Sequence, residues 1–193
     1  MLDINNISYF YKTNKIFENI SFSVKKIILI TPSSGKTTFL KTIYINPTFS
    51  VFFEKKNIKD IVNYRKNNFH FQDYNLLDLN VNTNINLPFI IKHKKDINWI
   101  TYLLEYFEIK LIYKDINTIS EKERVSIINA FAIKPKIVFL DEASALDKRL
   151  KNKLFEFINN YKENIIFLVT HNKDIKKCFE INKILYDNFQ IFK

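Results

Sequence analysis

The residues best suited to chemistry begin in one stretch, Ile27-Ile28-Leu29-Ile30-Thr31-Pro32-Ser33-Ser34-Gly35-Lys36-Thr37-Thr38-Phe39-Leu40. Four aliphatic residues lead into a loop of small residues, and Gly-Lys-Thr sits where a helix would start. A strand, tight loop and helix in that order turn backbone N–H groups toward a phosphate. Ser33, Ser34, Gly35 and Thr38 would line a nucleotide there. The Lys36 ammonium would reach its β and γ phosphates, and the Thr37 hydroxyl would ligate Mg²⁺. The strict pattern G-x-x-x-x-G-K-[ST] is not met, because its first glycine position is Ile30. Either that glycine is replaced or the loop is one residue shorter. A non-glycine residue strained into such a loop costs about 1–3 kcal/mol.

Two further runs end in functional side chains. Lys136-Ile137-Val138-Phe139-Leu140-Asp141-Glu142 delivers two carboxylates to the end of an apolar strand, the edge at which open α/β sheets bind ligands. Asp141 would hold Mg²⁺, usually through water. Glu142 would orient and deprotonate an attacking water. Ile165-Ile166-Phe167-Leu168-Val169-Thr170-His171 ends in a histidine. Parallel strands would bring His171 to the same edge, within reach of a γ-phosphate.

These side chains need a scaffold, and the chain reads as one. Strands are expected at Leu2–Ile7, Ile20–Val24, Ile27–Ile30, Phe49–Phe53, Asn68–Phe71, Ile137–Leu140 and Ile165–Thr170. A terminal pair is expected at Lys183–Tyr186 and Phe189–Phe192. The interior runs are apolar throughout, as in strands covered on both faces of a parallel sheet. Ile97, Ile100, Leu103, Leu104 and Phe107 share one helical face; so do Leu146, Leu150, Leu154, Ile158 and Tyr161, opposite Lys148, Arg149, Lys151 and Lys153. The expected fold is α/β, a P-loop domain over 1–193. It has a mostly parallel sheet core, an N-terminal antiparallel β region and a helical insert at roughly 82–135.

Composition bounds the rest. The 193 residues are 47% hydrophobic, enough for a core and against a disordered chain. The apolar runs fall far short of the ~18 residues of a membrane span. Met1-Leu2-Asp3-Ile4 has no basic region before an apolar stretch, so no secretory signal is expected. The single cysteine, Cys178, gives no disulfide framework. The net charge of +10 comes from 27 lysines and three arginines, in a chain with 31 isoleucines and 24 asparagines. That is the mix of AT-rich codons, so the basicity reflects coding bias more than nucleic-acid binding, which favours arginine forks. With one glycine in the chain, asparagine is expected to staff many turns that need positive φ.

The order of these pieces resembles the ATP-binding subunit of an ABC transporter, over nearly the whole chain. In the resemblance Tyr11, six residues before Phe17, is the aromatic that stacks on adenine. Phe69-His70-Phe71-Gln72-Asp73-Tyr74 is similar to the Q-loop, with Gln72 the Mg²⁺-sensing glutamine that couples to the membrane partner. Ser144-Ala145-Leu146-Asp147 is similar to the D-loop, one residue short, and His171 stands at the switch-histidine position. Gln72 through Pro88 looks most like the lipoprotein-releasing and macrolide-exporter branch. The signature Leu-Ser-Gly-Gly-Gln is worn. Ile119-Ser120-Glu121-Lys122-Glu123-Arg124 keeps Ser120 and the following helix but has lost both glycines, and Ser120 is expected to cap that helix. In the family this segment meets the γ-phosphate bound by the other protomer.

The resemblance implies ATP and Mg²⁺ as cofactors and hydrolysis in which Glu142, His171 and Gln72 take part. It implies a permease and a second ATP-binding subunit, identical or different, as partners, and a place on the cytoplasmic face of the membrane. No nucleic-acid partner is expected. Two other readings stay open: a degenerate subunit that binds nucleotide but hydrolyses weakly, and a non-transport ATPase of the same type acting on nucleic acid.

Overall fold

The computed structural model describes residues 1–30, 36–45, 50–57, 69–71, 76, 79–92, 96–110, 115–141, 146–161, 164–169, 183–185 and 191–192. Its elements are β1 (Leu2–Tyr11), β2 (Asn14–Val24), β3 (Ile27–Ile30), α1 (Lys36–Ile45), β4 (Ser50–Phe53), β5 (Lys56–Asn57) and β6 (Phe69–Phe71). There follow α2 (Val81–Lys92), α3 (Ile97–Tyr106), α4 (Ile119–Ala132), β7 (Ile137–Asp141), α5 (Lys148–Asn160), β8 (Ile165–Val169), β9 (Lys183–Leu185) and β10 (Ile191–Phe192).

The strands form two sheets. One is antiparallel in the order β2-β1-β4-β5; the other runs β10-β9-β3-β8-β7-β6. In the second, β9, β3, β8, β7 and β6 are mutually parallel and β10 closes the edge antiparallel. The expected α/β fold, with its antiparallel N-terminal region and helical subdomain, is the one found.

The unbroken apolar runs are explained by burial on both faces. Ile137, Phe139, Ile165, Phe167 and Val169 pack with α1 and the antiparallel sheet, through Leu2, Ile4, Phe17, Phe22, Phe39 and Leu40. Val138, Leu140, Ile166 and Leu168 pack instead with the helices, through Leu103, Phe107, Val125, Phe131, Leu154 and Phe157. Alternate residues of one strand thus serve two cores, and a polar residue at either parity would be buried. Of the two helical stripes, Ile100, Leu103 and Phe107 are buried and so are Leu146, Leu150, Leu154 and Ile158; Ile97 is 65% exposed.

Two expectations need correction. Leu2–Ile7 and Ile20–Val24 are the inner parts of one long hairpin that continues to its tip at Tyr11 and Asn14. Bulges at Asn6 (φ 52°) and Asn19 (φ 53°) interrupt its alternation, and their amides donate to Ser21 Oγ and Ser8 Oγ at 2.8 and 2.9 Å. The second concerns turns: the other positive-φ non-glycine residues described are Lys12, Glu54, Lys55, Glu108 and Lys134. Among the described residues, lysine and glutamate, not asparagine, staff the hairpin turns and helix ends, while asparagine takes the two bulges. Each such residue costs about 1–2 kcal/mol relative to an unstrained one.

Candidate nucleotide site

Strand register brings the candidate segments to one edge. Ile30 of β3 lies opposite Val169 of β8, and Val169 lies opposite Asp141 of β7. Phe71, the last residue of β6, pairs with Phe139. With neighbouring strands about 4.8 Å apart, the ends of β3 and β7 stand ~10 Å apart across β8. The loops that follow β3, β6, β7 and β8 therefore leave the carboxyl edge side by side, where ligands of open α/β sheets sit.

The phosphate-loop candidate is bounded on both sides. Ile30 is still a strand residue, paired to Val169 and Leu185, and α1 begins at Lys36. The connection between them is residues 31–35. Lys36 and Thr37 are the first two residues of α1, in the turn whose N–H groups have no intrahelical partner and carry the positive end of the helix dipole. The helix is held rigidly behind that turn. Phe39, Leu40 and Ile43 are buried, the Phe39 ring meets Phe17 edge-on at 5.4 Å, and Thr42 Oγ1 donates to the Thr38 carbonyl at 2.7 Å.

Phe17 also stacks on Tyr9 at 5.9 Å, so α1 and the β1–β2 hairpin are bolted together. Tyr11 stands beyond that contact at the hairpin tip, 59% exposed, with the Lys12 ammonium 5.9 Å from its ring centroid. It is available for stacking on a base, whereas Tyr9 is committed to Phe17.

Ser33, Ser34, Gly35, Gln72, Glu142 and His171 lie outside the described residues, as do Ser144 and Ala145 of the D-loop-like segment. For Lys36, Thr37 and Asp141 the backbone positions are those given above. Threonine and aspartate are residue types with the hard oxygen donors that Mg²⁺ takes, together with phosphate and water. Asp147 caps α5, its Oδ1 accepting from the Leu150 amide at 2.8 Å.

The worn signature is visible in detail. Ser120 does not cap α4; it is the second residue inside it. Thr118 is the cap. Its Oγ1 accepts from the Glu121 amide at 3.1 Å, while Glu121 Oε2 accepts from the Thr118 and Asn117 amides at 3.2 and 3.3 Å. This reciprocal capping box satisfies amides ahead of the helix with a carboxylate from the same chain. The sequence signal is the capping-box pattern Thr118-x-x-Glu121 just ahead of the helix.

Arg124, on the next turn, donates from Nη1 to the carbonyls of Phe107 and Glu108 at 3.2 and 2.9 Å. Glu108 in turn binds both Arg149 and Lys153 of α5. Those hydrogen bonds hold its carboxyl at about 2, well below the usual 4.5. Glu108 and Arg149 are 41 residues apart, and no local pattern announces the pair.

Among the described residues, no helix is long and apolar enough to cross a membrane. Comparison with protein-family models gives no match. Individual proteins do match. The chain is 33% identical over 193 aligned positions to the spermidine/putrescine import ATP-binding protein PotA of Mycoplasma capricolum, covering 90% of this chain and 55% of that protein. It thus spans about half the length of such relatives. It is 32% identical to the probable iron export ATP-binding protein FetA of Escherichia coli, covering 90% of this chain and 86% of that one. The lipoprotein-releasing system ATP-binding protein LolD of Buchnera aphidicola is also 32% identical, with 97% and 94% covered. A solved dimeric bacterial ABC transporter cassette superposes with a TM-score of 0.82 over 100% of this chain and 97% of that one, at 20% identity; this is a likeness of fold. With the strand edge, the helix starting at Lys36 and near full-length relatives above 30% identity, the chain belongs to the ATP-binding subunits of ABC transporters.

Proposed function

We propose that the chain binds and hydrolyses ATP and thereby powers a separate membrane permease. The observation that carries this is the register Ile30–Val169–Asp141, with α1 opening at Lys36. It brings the N-terminus of α1 and the end of β7 to one sheet edge, which supports a phosphate at the helix and a metal at Asp141. Ser33, Ser34, Gly35 and Thr38 cradle the phosphates, Lys36 contacts the β and γ groups, and Tyr11 takes the adenine. Thr37, Asp141 and Gln72 hold Mg²⁺, which neutralises phosphate charge when bound. Glu142 accepts the proton of the attacking water and His171 steadies the γ-phosphate. Positioning and charge stabilisation supply most of this chemistry. A single chain leaves the γ-phosphate face open, so a second ATP-binding subunit, identical or different, closes it and excludes water. Ser120 is this chain's contribution to the opposite site. The chain works at the cytoplasmic face of the membrane, held there by its permease.

For the cargo we propose lipoprotein release or a related export, supported by the Gln72–Pro88 segment and by the match to LolD. The polyamine-import and iron-export relatives match at similar identity, so permease pairing is the discriminating test. Stimulated phosphate release with a lipoprotein-releasing permease supports this cargo; stimulation only by an importer's permease rules it out. In the chain itself, Glu142→Gln is expected to keep ATP and lose turnover, and Asp141→Asn to weaken Mg²⁺-dependent binding. Equal loss of nucleotide in both would overturn the division of roles.

One observation favours the second reading, a nucleotide-binding subunit with weak hydrolysis: Glu121 satisfies the amides at the entrance of α4, where the family receives a phosphate. Turnover that stays near background even with the permease, and rises when a second subunit with an intact glycine signature is added, would establish it.

A further inference from the structure

The turn at Glu108 serves three helices. At the end of α3 the Ile109 amide donates to the Leu104 carbonyl at 2.8 Å and the Glu108 amide to Glu105 at 3.1 Å, the 6→1 and 5→2 pair of a Schellman motif. This places Glu108 at φ 59°, in the left-handed region where glycine is cheapest. The side chain has partners that glycine could not supply. Its Oε2 accepts from Arg149 Nη2 at 2.7 Å, and its Oε1 accepts from Arg149 Nη1 and, at 2.7 Å, from Lys153 Nζ. Its backbone carbonyl, with that of Phe107, accepts from Arg124 of α4. One residue therefore holds α4 by its main chain and α5 by its carboxylate. Packing joins the same two helices farther along, where Phe131 of α4 meets Phe157 of α5 edge-on at 4.8 Å, so the polar link acts at their N-terminal turns, beside a cavity of about 220 Å³ lined by Val81, Ile109, Glu121 and Arg124 among others.

We propose that Glu108 is a positioning residue that locks α4 and α5 into one unit, so that the segments around Ser120 and Asp147 move together. Arg124 stands four residues after Ser120 and Arg149 two after Asp147, which puts both segments on the clamped turns. The clamp is a property of the ligand-free chain. Its consequence for turnover rests on the ATPase reading above. Glu108 is 30% exposed and Arg149 59% exposed at the side chain, so the link sets geometry and adds little to global stability.

The test is hydrogen exchange on the full chain without nucleotide, comparing wild type, Glu108→Gly, Glu108→Gln and the control Glu105→Gln. Glu108→Gly relaxes the left-handed position while deleting the carboxylate, so the fold is kept. Residues 147–153, released from the carboxylate, should exchange about tenfold faster in the two Glu108 variants and not in the control, while residues 119–124, still held through the Glu108 carbonyl, should change less. No acceleration in residues 147–153, or the same acceleration in the control, overturns the proposal. With ATP, the Glu108 variants should lose about tenfold in kcat while KM for ATP stays within about twofold, as for displaced positioning. Wild type that neither binds nor hydrolyses ATP would defeat the ATPase reading, and the ligand-free exchange would still decide the clamp.

Discussion

Glu121 should oppose association while supporting the fold, and that sign difference is measurable. Its carboxylate accepts two amides, at 3.2 and 3.3 Å, at the entrance of α4. Glu121→Gln keeps a group that can reach back in the capping box but removes the negative charge that favours a helix N-terminus. The expected stability loss is about 0.3–1 kcal/mol. For a γ-phosphate approaching the same turn, a unit charge at roughly 4 Å costs ~4 kcal/mol at an effective dielectric of 20. Solvent and salt reduce this at a partly exposed site. A residual of about 1.4 kcal/mol is still tenfold in affinity. The assay is sedimentation of Glu142→Gln and Glu121→Gln/Glu142→Gln with Mg-ATP at two ionic strengths, beside urea melts. The double variant should melt at slightly lower urea, dimerise about tenfold more tightly at low salt, and lose part of that advantage at high salt. Dimerisation that weakens in step with stability would falsify the competition between Glu121 and phosphate.

Three further outcomes follow from other parts of the molecule. Glu54 and Lys55, at φ 51° and 67°, form a two-residue turn between the paired Phe53 and Lys56; both angles being positive makes it type I′. Glu54→Asn with Lys55→Gly should stabilise by about 1–2 kcal/mol in thermal melts, and a lower melting temperature would contradict the strain assigned there. Tyr11→Ala should weaken Mg-ATP binding several-fold, with about 1–3 kcal/mol lost by analogy with base stacking, and leave the melt unchanged; an unaltered affinity would move the stacking role to Phe10. The low value of the Glu108 carboxyl, about 2 against 4.5, means the unfolded chain binds the extra proton between those values, so its contribution to stability is present above 4.5 and lost as pH falls toward 2. The stability difference between wild type and Glu108→Gln should close over that window, and a difference independent of pH would contradict the pairing with Arg149 and Lys153.

The parallel core was legible because its evidence is local. Ile137–Leu140 and Ile165–Val169 are apolar at every position, which only two-faced burial requires, and the chemistry-bearing residues stand at or just after the ends of such runs. The capping box at Thr118 and Glu121 was equally local but obscured by the expectation that Ser120 would cap. The hairpin from Leu2 to Val24 is legible only in its inner parts, because bulges at Asn6 and Asn19 break the period of two on which strand recognition depends. The turns misled for a different reason. Packing against neighbours can hold lysine and glutamate in left-handed conformations: Lys134, at φ 48°, ends α4 while its ammonium binds Asp96 at 2.7 Å and covers Trp99 at 5.0 Å. Such contacts, with those of Glu108, join residues 35 to 45 positions apart and leave no periodic trace.

The most direct test of the nucleotide site is equilibrium binding of Mg-ATP to wild type, Lys36→Ala and Glu142→Gln, with inorganic phosphate measured in the same samples. Wild type and Glu142→Gln should both bind, only wild type should release phosphate, and Lys36→Ala should lose most of its affinity. Undetectable binding in all three, or equal phosphate release from wild type and Glu142→Gln, would contradict a hydrolytic site at the carboxyl edge of β3, β8 and β7.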